Sequence, residues 1–119
     1  MAKAKQITVT LENRPGALAL ATGALGKAKV NILAFTAGAS GSEGYARFVV
    51  DSPARAKKAF SQAGLTMTEQ DVQLYELADK PGALGDVAGK LGSKGTNIAY
   101  GYSGPGKGAR RARVVLAVD

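Results

Sequence analysis

Arg14-Pro15-Gly16-Ala17-Leu18 recurs as Lys80-Pro81-Gly82-Ala83-Leu84, 66 residues later. At the same offset Leu25-Gly26 matches Leu91-Gly92, Asn31-Ile32 matches Asn97-Ile98, Gly38 matches Gly104, and Ala46-Arg47 matches Ala112-Arg113. Aligned without a gap, Gln6–Pro53 and Val72–Asp119 share 14 identities over 48 positions. The chain therefore reads as one structural unit used twice, and function is expected in the repeated parts or between the copies.

Outward from each Pro-Gly the pattern is the same. Gln6-Ile7-Thr8-Val9-Thr10-Leu11 alternates with period two and is β-branched, which predicts a half-buried strand. Pro15 suits the first helical position, and Leu18, Thr22 and Leu25 then define the expected buried face of a first helix. Val30–Phe35 and Ala46–Val50 predict the next two strands. Ser52-Pro53 reads as a side-chain cap followed by proline, and Ala56, Ala59, Phe60 and Ala63 line a second helix that Gly64 ends. Leu65–Thr68 makes a short fourth strand.

The second copy repeats this order through a strand at Val72–Leu77 and a helix from Pro81 to Lys94, with Leu84, Val87, Ala88 and Leu91 in an i, i+3, i+4, i+7 stripe. A hairpin follows, Thr96–Tyr102 and Arg113–Val118. Lys29 stands where the second copy has Gly95. A left-handed lysine there costs about 1 kcal/mol or more, so the first helix is expected to end differently. The fold class expected is α+β: a ferredoxin-like βαββαβ unit over residues 1–70 and a shorter βαββ unit over 71–119, antiparallel sheets with helices on one face. The shorter copy leaves Val72–Leu77 as an expected open edge, which predicts a homo-oligomer, most simply a dimer.

Composition narrows the chemistry. The 119 residues contain no cysteine and no histidine, which removes thiol nucleophiles, disulfides, imidazole bases and the usual zinc sites. Nine carboxylates show no paired motif, and no enzyme, metal or cofactor is expected. The net charge is +7, divided as nine cations against four carboxylates in residues 1–70 and seven against five in 71–119. No apolar run approaches the ~20 residues of a membrane span, and Met1–Lys5 lacks a leader-like apolar stretch, so a cytoplasmic location is expected, with no membrane partner.

The repeated strand, basic-Pro-Gly-Ala-Leu corner, helix and Asn-Ile strand together resemble the ACT domain family of small-molecule-binding regulatory modules, in the form built of two units. What the resemblance implies is a non-catalytic regulator that binds an amino acid at an interface between units and acts on a separate protein. The ligand residues it implies are Asn13, Arg14, Pro15, Gly16, Ala17 and Leu18 with Asn31 and Ile32, and in the second copy Asp79, Lys80, Pro81, Gly82, Ala83 and Leu84 with Asn97 and Ile98. Independently of any family, a helix amino terminus offers free amides and partial positive charge to a carboxylate. Asn13 or Asp79 could meet a ligand ammonium, and Arg14 or Lys80 its carboxylate. Neutral Asn13 beside Arg14 favours the first copy as the binding one. The plainer alternatives are a ligand-free helix start, and asparagines bonding their own turns.

Gly101–Gly108 has the Gly-x4-Gly-Lys spacing of a phosphate loop, yet Gly108 replaces the Ser or Thr and a strand follows instead of a helix. Lys107 to Arg113 is the one local basic cluster, and it carries the alternative of an RNA- or phosphate-binding module. Nucleic acid is not the expected partner, because the Arg113–Leu116 strand offers no aromatic for base stacking.

Overall fold

The computed structural model describes all residues, Met1–Asp119. Its elements are β1 (Ala2–Glu12), α1 (Ala17–Lys27), β2 (Ile32–Ser40), β3 (Glu43–Val50), α2 (Pro53–Gln62), β4 (Met67–Ala78), α3 (Ala83–Ser93), β5 (Ile98–Pro105) and β6 (Arg111–Val118). The fold is α+β and ferredoxin-like in both copies, with antiparallel pairing at β1–β3, β2–β3, β4–β6 and β5–β6. The expected fourth strand and Val72–Leu77 are one continuous strand, β4. The sequence between them has no Gly or Pro to break it.

The chain divides into two compact units, Lys5–Gln70, and Met1–Ala4 with Asp71–Asp119. In the first, the strand order is β2, β3, β1 and the start of β4. Its core joins Ile7, Val9 and Leu11 of β1 to Ala17, Ala21 and Leu25 of α1, Ala46, Phe48 and Val50 of β3, and Ala56 and Phe60 of α2. Phe48 and Phe60 are both fully buried, with ring centroids 5.8 Å apart. The α1 face differs from the expected one: Leu18 is 38% exposed, and the Thr22 hydroxyl turns back to the Leu18 carbonyl. Alanines at 17 and 21 face inward because the smaller side chains let the helix sit close on the sheet. On α2, Ala63 is exposed, and Ser52 caps only through its backbone, its hydroxyl making no cap bond.

In the second unit β6 lies between β4 and β5, and Leu91, Val114 and Leu116 form the core with Tyr75, Leu77, Val87 and Ile98 half-buried around it. Leu84 is 50% exposed, so the α3 stripe is buried only toward its carboxyl end. The expected open edge at Val72–Leu77 is not there, because β4 has β1 on one side and β6 on the other in the strand order, with Ala2–Ala4 belonging to this unit.

Both copies place a β-bulge at the same point, between Ile32 and Ala34 and between Ile98 and Tyr100. The hairpins differ, however. Phe35 pairs with Phe48, whereas its counterpart Gly101 pairs with Leu116 rather than Val114, so the second hairpin is two residues longer. The gapless alignment therefore fails beyond the hairpin tip. In space Tyr45 corresponds to Arg113 and Phe48 to Leu116, and the Ala-Arg match is a coincidence of sequence.

Lys29 corrects another expectation. It adopts φ 57°, like Gly95 at φ 75°. The Val30 amide donates to the Leu25 carbonyl (3.0 Å) and the Lys29 amide to Gly26 (3.1 Å), matched by Thr96 to Leu91 (2.9 Å) and Gly95 to Gly92 (3.0 Å). Both helices end in the same Schellman motif. The chain must turn there to re-enter the sheet, and that tertiary demand overrides the backbone preference of lysine.

Candidate functional site

Each Pro-Gly corner is a type II turn that feeds a helix. The Ala17 amide donates to the Arg14 carbonyl (3.3 Å), and Gly16 sits at φ 86°, ψ −10°. Ala83 donates to Lys80 (3.4 Å), with Gly82 at φ 88°, ψ −15°. Such a turn needs positive φ at its third residue, which is why glycine follows proline. The helices therefore begin at Ala17 and Ala83, and Pro15 and Pro81 precede the cap rather than opening the helix. No side chain caps either helix. The amides of Leu18 and Ala19, and of Leu84 and Gly85, have no intrahelical partner.

The first corner stands beside two depressions. One of about 540 Å³ is lined by Thr10, Leu11, Glu12, Asn13, Arg14, Ser42 and Glu43. The other, about 180 Å³, shares Thr10–Glu12 and Arg14 and adds Ala17, Leu20 and Leu65. The Asn13 side-chain amide donates to the Gly41 carbonyl (2.8 Å), and Arg14 Nε pairs with Glu12 (2.7 Å). Asn13 is thus a clamp on the β2–β3 turn, and Arg14 is held over the depression by a carboxylate. Glu12 and Glu43 face each other across β1 and β3, leaving Glu43 without a cationic partner there. Thr10, Glu12, Ser42 and Glu43 were not singled out from the sequence. Only the strand register brings them to the corner.

The second corner is built over differently. Glu76, the counterpart of Thr10, accepts the Lys107 amide (2.7 Å) and pairs with Arg113 Nε (3.2 Å). Arg111 reaches the Glu76 carbonyl (3.4 Å), whereas the Asp79 amide donates to the Arg110 carbonyl (2.8 Å) just as Asn13 does to Ser42 (2.9 Å) at the first corner. One carboxylate therefore ties the longer hairpin to β4 and occupies Arg113 of the basic cluster. The Gly-x4-Gly-Lys segment is β5 and this hairpin tip, with no helix after it.

Asn31 and Asn97 stand apart from the corners. The Asn31 amide donates to the Asp51 carboxylate (3.0 Å) and its carbonyl accepts from the Asp51 amide (3.1 Å). Asn97 Nδ2 reaches the Asp119 carboxylate (2.9 Å), and the Asp119 amide donates to the Asn97 carbonyl (3.0 Å). These pairs close the Val50 and Val118 ends of the hairpins. The Asn13 corner lies at the Glu43 end, roughly 23 Å away at ~3.3 Å per strand residue. Within a unit, Asn31 with Ile32 and Asn97 with Ile98 do not share a pocket with the Pro-Gly corners.

Two ferredoxin-like units, each with a strand–turn–helix corner left uncapped, define a paired α+β module. The family model for the ACT domain pair matches residues 2–110, and the chain belongs to that family. ACT domains are regulatory, ligand-binding domains. The chain is similar to the solved structure of protein BT0572 from Bacteroides thetaiotaomicron, at 32% identity and TM-score 0.87 over 98% of this chain and 80% of that one. The regulatory subunits of aspartate kinase from Thermus thermophilus (17% identity, TM-score 0.69) and Thermus flavus (18%, 0.65) share the fold, each match covering 96% of this chain and 82% of theirs. No curated protein sequence matches. No helix is long and apolar enough to cross a membrane, and no cluster of three or more metal-ligating side chains occurs.

Proposed function

We propose that the protein is a non-catalytic regulator that binds an amino acid at the first corner, Asn13–Leu18, and works as a homo-oligomer in the cytoplasm. The observation that carries this reading is the difference between the corners. The first is flanked by open depressions, whereas hydrogen bonds from the longer hairpin tie up Glu76 beside the second. A zwitterion finds complementary charge in the larger depression: Arg14 for its carboxylate and Glu43 for its ammonium, with the start of α1 at Ala17 bordering the smaller depression. Asn13 acts indirectly, by holding the turn that carries Glu43.

The depressions are shallow, and a second ACT unit closing over them would bury the ligand. Binding then favours the assembly in which that unit is in place, a population shift toward the closed arrangement. Thermal-shift screening against the twenty amino acids tests this, since a ligand at 100 times its Kd stabilises by about 2.7 kcal/mol. The expected result is one chemical class of amino acid that raises Tm in wild type and about half as much in Glu43→Gln, whose tenfold weaker binding leaves about 1.4 kcal/mol at the same concentration. No shift with any amino acid at millimolar concentration refutes the reading.

A further inference from the structure

The helix layer of the first unit carries a second concave surface. Helices α1 and α2 flank a groove of about 710 Å³ lined by Ala19, Leu20, Gly23, Ala24, Ala59 and Ala63, with Lys27 and Gln62 beside them. Leu20 is 47% exposed there. Gly23 has nothing within 4 Å of the position a side chain would take, so no packing inside the chain requires glycine. A mid-helix glycine weakens a helix, and one with an open flank suits close approach of another backbone.

The charge around this groove has one sign. Lys27 lines the groove, Lys58 stands one turn before the lining Gln62 on α2, and neither helix carries a carboxylate. Arg55 is fixed in place, donating to the Ala28 carbonyl (2.6 Å) and the Lys29 carbonyl (3.3 Å) at the end of α1. Lys57 alone is answered, by Glu69 at 3.3 Å.

We propose that this groove docks an acidic amphipathic helix of a separate partner protein, its apolar stripe on the alanine and glycine floor and its carboxylates against Lys27 and Lys58. A second copy of this face does not fit, because it would set like charges against one another with no carboxylate between them. The chain itself has no acidic helix to offer, since α3 carries only Asp86. RNA is disfavoured because no aromatic lines the groove. A membrane surface prefers protruding leucines and aromatics to a hollow floored by small residues. The docking stands independently of amino-acid binding at the corner.

The test uses the full chain and a fluorescein-labelled peptide of about five helical turns, ~18 residues, with leucine and alanine on one face and glutamate on its flanks. A twin peptide carries lysine in place of glutamate. Fluorescence anisotropy should show binding of the glutamate peptide alone, weakened about tenfold or more by Lys27→Glu with Lys58→Glu, as rim charges predict. Gly23→Leu, which replaces a poor helix former and finds free space, should keep the fold by circular dichroism and abolish binding. Equal affinity for both peptides, binding unaffected by Gly23→Leu, or no binding at millimolar protein overturns the proposal. Tighter binding to phosphatidylglycerol vesicles than to the glutamate peptide also overturns it, in favour of a lipid surface.

Discussion

Replacing Lys29 by glycine should make this protein more stable, although it removes a charged side chain and adds the most flexible residue. Lys29 holds φ 57° at the end of α1, with an exposed side chain that makes no hydrogen bond or ion pair. A left-handed conformation costs a non-glycine residue about 1–2 kcal/mol. Glycine gives back about 0.4–1 kcal/mol through the looser unfolded chain, and losing a cation at a helix carboxyl end costs a further ~0.3 kcal/mol. The net expectation is a gain of about 0.5 kcal/mol, or ~2 °C in Tm for a chain of this size. The Schellman bonds themselves are backbone bonds and should persist.

Gly95→Lys is the reciprocal change in the second unit, where φ is 75° and nothing crowds the added side chain. It should lose a comparable amount. Urea denaturation of both variants, with unchanged m-values, measures the pair. If Lys29→Gly is neutral or destabilising while Gly95→Lys is tolerated, the helix ends are not equivalent and the reasoning fails.

Phe60→Ala should cost about 3–5 kcal/mol by urea titration, since its ring is fully buried against Phe48. Gly16→Ala should cost about 1–2 kcal/mol: the added methyl meets no atom, so the loss comes from the backbone at φ 86°. Glu76→Ala removes the acceptor of the Lys107 amide and the partner of Arg113. Hydrogen exchange at Lys107 should then accelerate about tenfold or more, equivalent to at least ~1.4 kcal/mol, with little change at Gly41 in the other hairpin. Amino-acid affinity should fall about tenfold in Glu43→Gln, as expected for a lost charge-assisted contact, when measured by calorimetry with the ligand found by screening.

The doubled Pro-Gly corner, the helix stops at Gly64 and Gly95, and the alternation of Ile7, Val9 and Leu11 were legible because each is a local rule. A helix start, a left-handed cap and a period-two strand each depend on a few neighbouring residues, whereas the type II turn that sets Pro15 ahead of the helix came only with the structure. The left-handed Lys29 was not legible, because the need to turn back into the sheet comes from the fold. Nor was the inward face of α1 visible: Leu18 looks like core until the sheet is in place and Ala17 proves to be the residue facing it.

The candidate site divides along the same line. The chain's own pattern marked a helix start with bare amides, and the resemblance named Asn13–Leu18 around it. The resemblance also implied Asn31 and Asn97 as companions, which the strands carry to the far end of each hairpin. The two-residue lengthening of the second hairpin shifts β6 against the repeat, and a gapless comparison cannot detect that. Only tertiary structure sets Glu43 opposite Glu12, and only it ties up Glu76 with Lys107 and Arg113. Sequence determined the repeated corner because turns and caps are short-range. The difference between the two corners rests on strand register, which is settled by pairing across many residues at once.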